Sequence, residues 1–415
     1  MSASHSAQDM VRPGDAVDLY YYDHQTAKKQ CWPTTINTKF VQQFNNLSGG
    51  SSVFTIPPQQ GIQDVVCSFT LGALDAATGL ALNRGWAYQM IKQVSYRYGG
   101  SSQYFLTGDQ ILQNALRAQP SREAASDLLL LGGQAALPAD LTASAQYASV
   151  VLTLPHATPS GVGKAHPFPS DCLTQQIQIT VELNPISSLF SVSGASPSPV
   201  PTSLSSATFQ VQQVMLNNAG DALARRVDLS ENAYAFPAEF VQQKQTINLS
   251  SASGDQSVVL TGFRSGEVKA IHCWLNRASD MTPGGIQNPW NWVLPTKVEM
   301  TYAGDVYARF DSSSSTLWNL INGDKYPGAQ SINLVYTSGA YAGASQVSTW
   351  VELPFAQPFV NEDEHNVLVH GKPITNGIVN LVVATPYSAA DWVLNVSYIY
   401  NTTLLFSQGT VDYVF

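Results

Sequence analysis

The chain has 415 residues and a net charge of −9, with 12% charged and 44% hydrophobic residues, which excludes a disordered, solvated polymer. The acidic balance, with no basic run beyond the pairs Lys28-Lys29 and Arg225-Arg226, argues against direct nucleic-acid binding, which needs clustered cations to neutralise phosphates. A surface rich in Ser, Thr, Asn, Gln and Gly but poor in charge suits permanent contact with neighbouring chains.

In chain order, short apolar-alternating runs predict strands at 37–44, 52–57, 63–71 and 91–98. Thr107-Gly-Asp-Gln110 has the spacing of a capping box, and Ile111, Leu112, Ala115 and Leu116 follow as one apolar stripe, so a helix is predicted there. A second short helix runs from Ser121 through Leu128–Leu131 to a stop at Gly132-Gly133. Strands follow at 148–154, 176–184 and 207–216. The run 176–184 is the cleanest, with Ile177, Ile179, Val181 and Leu183 facing one way and Gln178, Thr180 and Glu182 the other.

In the second half, strands are predicted at 239–249, 257–263, 267–275, 296–303, 347–353, 377–385 and 391–406. A helix is expected where Ser312–Ser315 precede Leu317, Leu320 and Ile321, with Gly323 as the stop. The Pro- and Ser-rich stretches 195–206 and 277–290 read as exposed loops. The whole is an all-β sandwich pattern with short helices inserted.

An internal repeat organises these elements. Val94, Tyr96 and Tyr98, followed by Gly99-Gly100, recur 204 residues later as Val298, Met300 and Tyr302, followed by Ala303-Gly304. Aromatic residues come next in both halves, Tyr104-Phe105 and Tyr307 with Phe310. Val150–Pro155 matches Thr349–Pro354 at an offset of 199, and the strand at 176–184 has its counterpart near 377–385. Four elements in one order, about half a chain apart, predict a tandem duplication of one β-sandwich.

The first half therefore runs strand, Gly99-Gly100, helix, Leu154-Pro155, a loop with Pro167-Phe168-Pro169, and a strand ending Asn184-Pro185. The second half carries Leu353-Pro354-Phe355 and the closing strand 391–406. This order resembles the major capsid proteins of nucleocytoplasmic large DNA viruses and their smaller relatives such as virophages, over nearly the whole chain beyond residue 30. One departure is His156 after Leu154-Pro155, where family members often have an aromatic run.

The resemblance implies two tandem eight-stranded jelly-roll β-sandwiches, a double jelly roll, with an N-terminal arm at 1–30, a first jelly roll at 31–225 and a second at 226–415. The first thirty residues are read either as that arm or as an extra strand of the first sandwich. It further implies a non-enzymatic structural protein that forms a homotrimeric, pseudo-hexameric capsomer of an icosahedral double-stranded DNA virus. Three chains with two similar units each present six similar edges. The implied partners are other copies, neighbouring capsomers, penton and minor capsid proteins and an underlying internal membrane, with no direct nucleic acid. The implied location is the virion, after synthesis in the host cytoplasm or a viral factory. Loops 72–90, 156–174, 186–206, 277–293 and 322–345 are candidates for outer towers or contacts.

No catalytic, cofactor-binding or metal site is expected. The sequence contains no G-x-S-x-G elbow, no H-E-x-x-H and no P-loop. His272-Cys273 lies within an alternating strand, where neighbours face opposite sides, so the two do not form a Cys–His pair by adjacency. Glu362-Asp363-Glu364, with His365 and His370, is the best cation candidate and reads as a solvated loop.

Trp274, Trp290, Trp292, Trp350 and Trp392 leave an alternative open, a secreted or surface β-sandwich that binds or cleaves carbohydrate. Against it, Cys31, Cys67, Cys172 and Cys273 are scattered without C-x-x-C, which predicts reduced, mostly buried thiols and intracellular folding. No secretory signal is expected, since the first thirty residues hold Asp9, Asp15, Asp18 and Asp23 and no apolar core. No apolar run reaches the ~18 residues of a spanning helix. The N-x-[ST] sequons at Asn46, Asn248, Asn395 and Asn401 read as chance matches.

Overall fold

The computed structural model describes residues 36–57, 61–98, 103–117, 122–152, 168, 170–192, 196–215, 227, 234–249, 254–278, 292, 295–311, 350–355, 372–374, 378–385 and 391–414. The segment 1–30 and the predicted helix at 312–321 lie outside these residues.

The first unit contains β1 (Ile36–Gln43), β2 (Gly50–Ile56), β3 (Gly61–Leu71), β4 (Leu80–Leu82), the helix α1 (Trp86–Met90), β5 (Ile91–Arg97) and β6 (Gln103–Thr107). The helices α2 (Gly108–Arg117), α3 (Arg122–Leu131) and α4 (Pro138–Ala143) come next, then β7 (Gln146–Leu152), β8 (Ile177–Leu183), β9 (Phe190–Val192) and β10 (Ser206–Met215). One sheet has the order β1-β10-β3-β7, the other β2-β8-β5-β6, and β4 pairs with β9. All the pairings are antiparallel.

The second unit contains β11 (Tyr234–Val241), β12 (Gln245–Leu249), β13 (Asp255–Leu260), β14 (Glu267–Arg277), β15 (Lys297–Tyr302) and β16 (Asp305–Asp311). It continues with β17 (Val351–Pro354), β18 (Lys372–Pro373), β19 (Val379–Ala384), β20 (Trp392–Ser407) and β21 (Thr410–Val414). One sheet runs β11-β20-β14-β17, with β12 and β21 on β20 and β18 on β14, and the other runs β13-β19-β15-β16.

The short β4, β9, β12, β18 and β21 are additions to a common frame of eight strands in each unit. Counted along the chain within that frame, both units have one sheet in the order first-eighth-third-sixth and the other in the order second-seventh-fourth-fifth. That is the jelly-roll order, and its recurrence gives the chain the double jelly-roll fold.

The repeat extends to register. On the fourth strands, Val94 and Tyr96 face Val181 and Ile179, while Val298 and Met300 face Val383 and Leu381. All eight are buried. Alternation along each strand sends these residues to the space between the two sheets and leaves their neighbours outside. In the first unit the sheets meet at Phe54 and Phe209, whose rings stack with centroids 4.2 Å apart. The Ala303-Gly304 repeat element is a two-residue hairpin turn between β15 and β16, with φ of 52° and 95°. Tight hairpins require this left-handed backbone because it matches the twist of the strands.

Several elements differ from the sequence reading. The predicted strand 239–249 is two strands, β11 and β12, interrupted at 242–244. The strands β6, β16 and β21, absent from the sequence reading, are short, and they form through pairing with a neighbour already in place. The candidate contact loop 72–90 contains β4 and α1, and α1 is buried throughout. Its apolar content belongs to the first unit's core, because Trp86, Tyr88 and Met90 are wholly covered.

The third strand of the second unit, β14, carries a buried ion pair. Lys269 sits at a register shift in the β14–β20 pairing and pairs with Glu239 on β11, both nearly inaccessible. Removing one partner of such a pair leaves an uncompensated buried charge. Glu239→Gln is expected to lower the unfolding free energy by about 3–5 kcal/mol, read by urea denaturation. Co-substitution of Lys269→Met is expected to recover much of that loss.

Candidate functional site

Within the described residues, the most elaborate polar arrangement is the seam between the two units. It is built around α2, which begins directly after β6. Gly108 permits this start, since a Cβ there would overlap the carbonyl oxygens of Tyr88 and Ile91. The predicted capping box is half formed. The Thr107 N–H donates to Gln110 Oε1 at 3.1 Å, as the motif requires. The Thr107 hydroxyl, however, donates to the Asp109 carboxylate, and Asp109 also accepts the Gln110 N–H at 3.1 Å.

This arrangement aims Gln110 outward from the first unit. Its Nε2 donates to the Gln242 carbonyl (2.7 Å) and to Ser397 Oγ (2.6 Å), both in the second unit. The Gln242 carbonyl is available because β11 and β12 break there, and the Ser397 hydroxyl donates to it as well, at 3.1 Å. Beside it, Asp109 Oδ2 lies 2.6 Å from Lys244 Nζ. Lys244 in turn sits 6.0 Å from the Trp274 ring centroid, in cation–π position. The interruption at 242–244 is therefore the place where α2 docks.

An aromatic cluster completes the seam. Tyr104 on β6 packs against Tyr96 (5.8 Å), and across the seam against Phe240 (5.1 Å) and Tyr413 (5.8 Å). Phe240 and Tyr413 also meet edge to face at 5.1 Å. The Val241 N–H donates to the Tyr104 hydroxyl at 3.3 Å. The turn at Gly409 is held in the same way, its carbonyl accepting from the N–H and the hydroxyl of Thr174 (2.9 and 3.2 Å). The Tyr104 side chain on β6 is thus enclosed by residues of the second unit.

Burial pushes the phenols of Tyr96, Tyr98, Tyr104 and Tyr413 above their ordinary value, and neighbouring tyrosines add to the effect for Tyr96, Tyr98 and Tyr413. A raised folded-state pKa means that the stability tied to the neutral phenols is fully present below pH 10 and is lost as pH rises beyond it. The thermal midpoint is therefore expected to fall above about pH 10. Tyrosinate absorbance at 295 nm from these residues should appear together with unfolding. Ionisation of the cluster at full native circular dichroism would contradict the burial.

The sequence candidates for chemistry are dispersed. Cys273 faces the core opposite Val351 and Val396, whereas His272 lies on the other face and its Nε2 is 2.9 Å from Glu352 Oε2. Both residues are buried, and they do not meet as a nucleophile and base. Cys67 is likewise a buried free thiol. Burial pushes the Cys273 thiol up to about 12 and the Cys67 thiol higher still, away from the thiolate form that reacts. Both are expected to resist Ellman's reagent in the native protein and to react on unfolding.

Cys31 lies outside the described residues, as do Trp290 and the acidic run 362–364 with His365 and His370. Trp274, Trp292, Trp350 and Trp392 are buried. Trp292 packs against both Trp274 (5.9 Å) and Trp350 (6.1 Å), so these rings form packing and not an open sugar-binding platform. Asn395, a sequon residue, is fully buried and donates to Asn276 Oδ1 at 2.8 Å, a position with no room for a glycan. Among the described residues no group of three or more His, Cys, Asp or Glu converges as a metal site would.

Sequence reasoning located α2 but missed what its polar face does. Gln110, Gln113 and Asn114 are buried as well as the apolar stripe, so the helix is covered on all sides. The available signal was chemical: these positions carry amides where a solvated helix face would carry Lys or Glu.

No family model and no curated protein sequence matches the chain. Solved structures do match, several of them viral capsid proteins. PBCV-1 VP54, fitted into a reconstruction of the virophage Sputnik, aligns with a TM-score of 0.63 at 12% identity over 92% of this chain and 97% of that one. The Sputnik virophage structure gives 0.59 at 10% identity, covering 93% and 89%. The mavirus major capsid protein gives 0.55 at 11% identity, covering 93% and 91%. At these identities the likeness establishes a shared double jelly-roll fold across nearly the whole of each chain.

Proposed function

We propose that this chain is the major capsid protein of an icosahedral double-stranded DNA virus, a structural tile whose work is done by interfaces and not by a catalytic pocket. The observation that carries this reading is the pair of identical strand orders joined by a buried, hydrogen-bonded seam. A rigid side-by-side pair of similar units is what a hexagonal tile made from three chains requires. The full-length fold shared with the capsid proteins of PBCV-1, Sputnik and mavirus supports it.

On this reading residues 31–225 and 226–415 are the two jelly rolls, and residues 1–30 are an arm that contacts a neighbour or the underside of the tile. Three chains form a pseudo-hexameric capsomer. Capsomers contact one another, the penton and minor capsid proteins and an internal membrane, within the virion shell. The low charge and abundant amides and hydroxyls suit large contacts that stay formed. Nucleic acid is not a direct partner of a surface this acidic.

Light scattering coupled to size-exclusion chromatography tests the tile. A stable species near 134 kDa, about three times the 44.8 kDa chain, is expected, with closed shells as the higher product. A monodisperse monomer that resists assembly at high concentration would overturn the reading.

A further inference from the structure

The phenol cluster at the seam holds hydrogen-bonding groups that the fold leaves unsatisfied. Tyr96 on β5 and Tyr98 just beyond its end stand two residues apart, so alternation sends both side chains into the space between the sheets. Their rings are parallel within 5°, with centroids 6.3 Å apart. They are 0% and 3% exposed. Among the described residues, neither hydroxyl has a hydrogen-bond partner. Tyr104 differs, since its hydroxyl accepts the Val241 N–H. A buried hydroxyl without a partner is costly, and native interiors hold few of them.

The surroundings restrict what can satisfy these two groups. Tyr96 packs on Tyr104, Tyr104 on Tyr413, and Tyr98 on Phe168, at ring tilts between 38° and 41°. Rings set at such angles do not lie flush, which leaves space along their edges. The groups whose charge reaches Tyr96 and Tyr98 are other phenols and, on the facing sheet, the Cys67 thiol. Burial keeps all of them in the neutral form. A charged ligand would therefore find no countercharge there among the described residues. An apolar ligand would leave both hydroxyls unsatisfied. What fits is a small neutral molecule that both donates and accepts hydrogen bonds.

We infer that the phenol cluster is an internal water site, with ordered water hydrogen-bonded to the hydroxyls of Tyr96 and Tyr98. Buried waters typically make about three hydrogen bonds to polar groups that lack other partners. The first unit supplies both hydroxyls. Tyr413 of the second unit packs on Tyr104, and its charge acts on Tyr98, so the second unit closes the site. Water is thereby enclosed as the two jelly rolls come together, and it becomes part of the seam. The site lies within one chain, so it is independent of assembly.

Phenylalanine substitutions in the full chain test this through the sign of their effect. If the hydroxyls are simply unpaired, Tyr96→Phe and Tyr98→Phe each delete a buried unsatisfied group, and the thermal midpoint rises. If water occupies the site, each substitution strips that water of a partner. The midpoint is then expected to fall by about 2–4 °C in each variant. A midpoint that rises or stays level in both variants would overturn the inference.

A high-resolution crystal structure supplies the direct reading. The expected result is solvent density about 2.5–3.0 Å from each of the two hydroxyl oxygens, and its loss beside position 98 in Tyr98→Phe. Phenols that bond one another directly, with no such density, would overturn the assignment.

Discussion

The arrangement of the two jelly rolls depends on satisfying buried polar groups at one break in a strand. When β11 gives way to β12, the Gln242 carbonyl is left to find side-chain partners, and a buried carbonyl without one is costly. Gln110 and Ser397 supply them. The same Gln110 side chain accepts the Thr107 N–H, so the start of α2 and the docking of the second unit are fixed by one residue. The Asp109–Lys244 pair and the tyrosine cluster then grow outward from that point. Interface hydrogen bonds with this directionality set an angle between two bodies, which apolar packing alone sets less sharply.

The buried ion pair reinforces the same region from beneath. Glu239 is close enough for its charge to raise the Tyr104 phenol further, while Lys269 reaches it from the bulged strand β14. A bulge of this kind kinks a strand and re-aims a side chain. The seam is therefore built from irregularities, namely a strand break, a bulge and a half-formed cap. The regular ladders around them provide the rigid frame that holds these irregular positions in place.

Alternation made the frame legible from sequence. The strands at 176–184 and 377–385 announce themselves because one face is dry and the other wet, and the repeat of Val94, Tyr96 and Tyr98 as Val298, Met300 and Tyr302 lands on equivalent fourth strands. Where both faces are covered, alternation fades. The β14 strand reads as apolar and polar residues in a plain run, yet His272 and Asn276 are as buried as Cys273. The seam was illegible for a related reason: Gln110 and Gln242 are ordinary surface-type residues until the fold brings them together across 132 positions. The short edges β6, β16 and β21 carry little signal of their own because a pre-existing neighbour dictates their conformation.

The position of Tyr413 bears on the timing of biosynthesis. The aromatic pocket formed by Tyr96 and Tyr104 is translated early, and one of the rings that fills it arrives more than three hundred residues later. At ribosomal rates this delay is roughly 15–60 seconds. During it the first jelly roll can complete its own core while Tyr104 still lacks its second-unit partners. A nascent chain thus passes through an interval with an incompletely packed aromatic cluster, which ends when β21 folds back onto β20 and delivers Tyr413. Premature association between half-made chains on one messenger would compete with that closure, so the rate of elongation through the second half becomes a determinant of yield.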